Sequence, residues 1–127
     1  MKTRNLVLAA VGTILLATAL AAFPAEAKGI LKSAEVRALV QNAKSPADHQ
    51  KLAGHFTAMA AKHEAEATEH EALAAEYAKR PTGHEVKHPM SGMTAEHCRY
   101  YAEHCRKAAK EMRAMAKVHE DMAKGQK

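Results

Sequence analysis

Alanine returns at every seventh residue over two stretches of this chain: Ala53, Ala60, Ala67 and Ala74, then Ala102, Ala109, Ala116 and Ala123. No other feature limits the fold as much. A strict heptad keeps one stripe of an α-helix turned towards one partner. Alanine in that stripe lets the partner approach closely. The two stretches are copies of each other, offset by 49 residues. Ser45 matches Thr94, residues 52–56 match 101–105, and residues 70–74 match 119–123. The offset is a whole number of heptads, so the duplication preserves the phase.

The boundaries of both copies are written in capping chemistry. Ser45-Pro46-Ala47-Asp48 supplies a cap, a proline at the first helical position and an acid in the first turn. The spacing predicts a helix over 46–79, stopped by Arg80-Pro81-Thr82-Gly83. Thr94 caps a second helix over 95–124, with Gly125 just beyond. Ser33 is positioned to cap a short helix over 34–43, with Val36, Leu39 and Val40 on one face. Residues 80–93 read as the connecting loop. No β-type alternation of branched residues appears. The expected fold is all-α: an antiparallel hairpin of two long duplicated helices, led by a short one. The apolar seam is thin for a chain of this size. Dimerisation into a four-helix bundle, metal, or both are expected to supply stability.

The first 27 residues form a separate segment. Lys2 and Arg4 precede an apolar run from Leu6 to Ala22, and Ala25-Glu26-Ala27 has the small-residue pattern of a cleavage site. This reads as a signal peptide cut after Ala27, leaving 28–127 as a single helical domain exported to the periplasm or medium of a bacterium. No stable membrane insertion is expected once it is removed.

The second heptad position carries unusual chemistry. In the first helix it holds His49, Phe56, His63, His70 and Tyr77, and in the second Cys98, Cys105, Met112 and His119. A third holds Leu52, Met59, Glu66 and Leu73, then Tyr101, Ala108, Met115 and Met122. A coiled coil ordinarily fills two such positions with Leu, Ile and Val. Imidazole, thioether and thiol in their place are soft-to-borderline ligands. Helix spacings of three and four put such groups within reach of one ion. In a hairpin closed between Lys79 and Ala95, His55 faces His119, Met59 faces Met115 and His70 faces His104. The first expected metal cluster is therefore His55, Met59, His63, Met112, Met115 and His119. The second is His70, His104 and Cys105, with His97 and Cys98 one heptad further on. Copper is favoured, with zinc or nickel where histidine dominates.

Cys98 and Cys105 are seven residues apart on one helix, about 10 Å, too far for a mutual disulfide. Their expected roles are metal ligands, bridges between two copies, or buried packing. The connection is equally dense: His84, His88, Met90 and Met93 stand within ten residues of each other, a third place where a copper carrier could hold its ion. His84-Glu85-x-x-His88 also spells a metalloprotease signature. That motif works on a helix, whereas here Gly83 precedes it and Pro89 follows. It is read as incidental, and no enzymatic activity is expected.

Other classes are excluded by absence of motif. No C-x-x-C-H occurs for covalent haem, neither long helix carries the Glu-x-x-His of a di-iron bundle, and there is no Gly-rich phosphate loop. A net charge of +5 with nine neutral histidines is mild and interleaved with acids, so nucleic acid is not an expected partner. The function expected is metal binding for sequestration or delivery. The alternatives are a structural or stress-response envelope protein whose histidine seam responds to acid, and a non-covalent haem bundle.

Overall fold

The computed structural model describes residues 29–81, 83–92 and 94–125, apart from the side chains of His84 and Glu85. The expected signal segment therefore lies outside the described residues, as does Met93. The described chain is helical throughout its regular structure: α1 (Ser33–Asn42), α2 (Pro46–Lys79), the single turn α3 (His84–Lys87) and α4 (Ala95–Ala123). Helices α2 and α4 pack along their length as the hairpin, and α1 touches only α2. Among the described residues no helix is long and apolar enough to cross a membrane.

Caps explain the ends. The Ser45 hydroxyl accepts the Asp48 N–H at 3.1 Å, and the Asp48 carboxylate accepts the Ser45 N–H at 3.2 Å. This reciprocal pair satisfies donors that the first turn leaves bare. Its hydrogen bonds, that of the Ser45 hydroxyl first, hold the Asp48 carboxyl below its ordinary value. Ser45→Ala is expected to cost about 1 kcal/mol, read as a lower urea midpoint with unchanged slope. Thr94 accepts the His97 N–H and so opens α4. Gly125, at φ +71°, closes it in the left-handed conformation that L side chains avoid. Two expectations need correction here. Ser33 is the first residue of α1 and not its cap; Lys32 holds that place without a side-chain bond. The connection is also not wholly irregular, since residues 84–87 make one helical turn.

The core is the alanine stripe. Ala53, Ala60, Ala67, Ala74, Ala102, Ala109 and Ala116 are buried, joined by Leu52, Cys98 and Cys105. Among the described residues, only Leu52 of the core side chains is both large and fully buried. Close helix approach, and not side-chain bulk, therefore holds the hairpin together.

The two flanks of the stripe differ. On one, Glu64 pairs with Arg113 at 2.9 Å and Glu71 with Arg106 through both carboxylate oxygens. These pairs repeat seven residues apart on each helix and mark the antiparallel register. They are exposed, so each contributes little stability. The other flank is apolar, with Leu73, Tyr101, Met115 and Met122 partly exposed. Glu66 is the one acid in that row.

Candidate metal centre

Heptad geometry puts His63 and Cys105 at equivalent positions of α2 and α4, beside the alanine stripe. Glu66 follows His63 by three residues, nearly one turn on, and reaches the same point. The His63 Nδ1 lies 3.0 Å from Glu66 Oε2, and the Cys105 Sγ lies 3.9 Å from that same oxygen. All three donor atoms fall within 4.8 Å of one another. Glu66 Oε1 faces Lys62 at 3.8 Å, which leaves Oε2 for the cluster. Cys105 is buried, while His63 and Glu66 are half-buried, so the group sits at the edge of the core with an opening to solvent.

Burial, the larger cause, and the Glu66 carboxylate push the Cys105 thiol up, against an opposing hydrogen bond from Tyr101. The resting group is a protonated thiol. Zinc bonds of 2.0–2.3 Å at the tetrahedral angle separate donor atoms by about 3.3–3.6 Å. The two separations at Glu66 Oε2 bracket that range. The Glu66 oxygen is thus within half an ångström of that spacing from both partners, and all three donors lie within 4.8 Å of one another.

Of the first expected cluster, His63 belongs to this group, while His55 and His119 take other partners. His55 does not face His119. It sits two residues past the alanine stripe, about 200° around the helix, and is buried beneath the chain leading into α1, where its Nδ1 accepts the Leu31 N–H at 3.1 Å. His119 meets His49 instead, Nδ1 to Nδ1 at 3.1 Å. Met59 and Met112 are half-buried, and Met115 lies on the exposed apolar flank.

The second cluster divides as well. His70 packs on Tyr101, with ring centroids 4.2 Å apart, and its Nδ1 is buried without a hydrogen bond. His104 is exposed and lies edge-on to Tyr100. The pairing expected between them is thus replaced by two separate His–Tyr contacts, because His104 occupies an outward heptad position. Cys98 and Cys105 are both free and buried, which disfavours a bridge to another copy of the intact hairpin. Cys98 lies a full heptad, about 10 Å, from Cys105, and His97 is half-buried at the start of α4. In the connection, His88 and Met90 are exposed; the His84 side chain and Met93 lie outside the described residues.

Sequence reasoning passed over Glu66 as a candidate ligand, and His49 as the partner of His119. Both stood in the heptad rows. The signal for Glu66 was a lone acid in a row of Leu, Met and Tyr, three residues from a histidine.

At the open end, burial and then the neighbouring His49 ring lower the pKa of His119. Folding therefore favours its neutral form. The associated stability is complete above the ordinary value of 6.5 and is lost as pH falls through the lowered one. Metal-free protein is expected to melt at a lower temperature at pH 5 than at pH 7.5. His119→Gln should flatten that dependence, as followed by circular dichroism.

Compared with protein-family models, curated proteins and solved structures, the chain matches none.

Proposed function

We propose that this chain is an exported metal-binding helical hairpin that holds a soft or borderline ion for sequestration or delivery. The observation that carries the reading is the convergence of His63, Glu66 and Cys105 from two helices to within 4.8 Å. Imidazole, carboxylate and thiolate together suit zinc, with nickel and copper(II) behind it. Copper(I) favours softer donors and would draw on the thioethers of Met59, Met112 and Met115. Three protein ligands leave one tetrahedral position for water or an incoming ligand. That arrangement suits an ion that must be passed on better than a closed structural site does. The leader read in residues 1–27 supports export, and the apolar flank supports pairing of two hairpins.

Elemental analysis of untagged protein from the periplasm, followed by zinc(II) and copper(I) competition titrations, tests the reading. Near-stoichiometric metal held against a competing chelator is the expected result. Metal-free protein with weak, non-saturating uptake overturns it and returns the cluster to packing.

A further inference from the structure

The open end of the hairpin carries a contact that the site above does not use. His49 lies in the first turn of α2 and His119 near the end of α4, 70 residues away in sequence, yet their Nδ1 atoms are 3.1 Å apart. The rings stack with centroids 5.4 Å apart and planes 23° from parallel. Phe56 stacks on His119 as well, at 5.7 Å and 10°. His119 is thus held between two rings, its orientation set before any ligand arrives. Both imidazoles are half-buried, so solvent reaches them.

We propose that His49 and His119 form a second cation site, a bis-imidazole clamp for a borderline divalent transition ion such as zinc. Two zinc–nitrogen bonds of 2.0–2.1 Å at the tetrahedral angle place their nitrogens about 3.3 Å apart, and the pair stands within a few tenths of an ångström of that. In the free protein one ring must donate its Nδ1–H to the other. When the ion enters, that hydrogen is lost from Nδ1 and the ring takes up a proton at Nε2. Both Nδ1 lone pairs then face the metal, with no net proton released from two neutral rings. Water completes the coordination. His49 is 14 residues before His63 on α2, about 21 Å along the helix, so the two sites take separate ions. The clamp ties the first turn of α2 to the last turns of α4, and its occupation stabilises the closed hairpin.

The test is a zinc chloride titration of the full chain and of H49Q, H119Q and C105S, read as stoichiometry and affinity, with circular dichroism on each. Wild type should take two equivalents and melt at a higher temperature with zinc. H49Q and H119Q should each lose one equivalent, or weaken it at least about tenfold, while remaining helical. C105S should retain that equivalent. Wild-type stoichiometry and affinity in both histidine variants overturn the proposal. Should a variant fail to fold, imidazole nitrogen resonances of the wild type decide: zinc must shift Nδ1 of both His49 and His119, and unchanged signals overturn it. One equivalent in wild type that is lost in H49Q and kept in C105S would leave the clamp standing while removing the His63–Glu66–Cys105 reading.

Discussion

Ala67→Leu is expected to unfold most of the hairpin at temperatures where the parent is fully folded. Ala67 has no exposed surface and sits against Ala102 and Cys105 across the interface. Its methyl group is the reason two backbones can approach there. Leucine adds three carbons at a position with no exposed surface, so the helices must separate or the side chain must take a strained rotamer. Overpacking of this kind costs about 1–3 kcal/mol. This site belongs at the upper end, because separating the helices also loosens the neighbouring alanines. The parent has little in reserve: its core is seven alanines, two cysteines and Leu52, against a typical total stability of about 5–15 kcal/mol for a domain. A loss of about 3 kcal/mol translates into a melting temperature lower by more than about 10 °C. Ala65→Leu, exposed on the same helix, is the control and should change stability by less than about 0.5 kcal/mol. Equal melting of the two variants would mean that close alanine packing is not what holds α2 to α4.

The same alanines show how far the sequence could be read. Their period, with the Ser45 and Thr94 caps, determines two helices, their facing stripe and their antiparallel pairing, because backbone hydrogen bonding and helix phase are local properties. Register could also be approximated: Glu66 opposite Cys105 and Glu71 opposite Arg106 lie close to the levels that a short connection imposes. The direction of each histidine was not legible. His55 and His119 stand at similar heights, but one residue of helix turns a side chain by about 100°. The chain before α1 then covers His55 and supplies a backbone donor at Leu31 that no periodicity announces. His104 fails for the same angular reason. Glu66 escaped notice because its role depends on a partner 39 residues away. A charge in a heptad row is, on spacing alone, an ordinary solvated group. Sites assembled across an interface need angles to within tens of degrees, whereas folds need only the period.

Cys105→Ser should weaken zinc binding at the His63–Glu66–Cys105 site by at least about a hundredfold, more than loss of a group that only hydrogen-bonds a ligand does. The thiol is the one soft donor of the three and the one on the opposite helix. Serine keeps the size and polarity but supplies no thiolate, so stability should change far less than affinity. The pH dependence makes the assignment specific. Burial, followed by the Glu66 carboxylate, keeps the free thiol protonated. An ion must therefore displace one proton from sulfur to bind. Zinc affinity at this site is then expected to rise about tenfold per pH unit across the neutral range, where the displaced proton is the variable. In C105S that slope should vanish along with the tight binding. Glu66→Gln should behave differently: the amide still offers an oxygen but removes a charge that offsets the cation, so affinity falls while the proton released from sulfur, and hence the slope, persists. Calorimetry in two buffers of different ionisation enthalpy counts that proton directly. A count near one in the parent and in E66Q, and near zero in C105S, would identify the sulfur as the ligand. An unchanged count in C105S would place the ion elsewhere on the hairpin and leave Cys105 as a packing residue beneath Ala67.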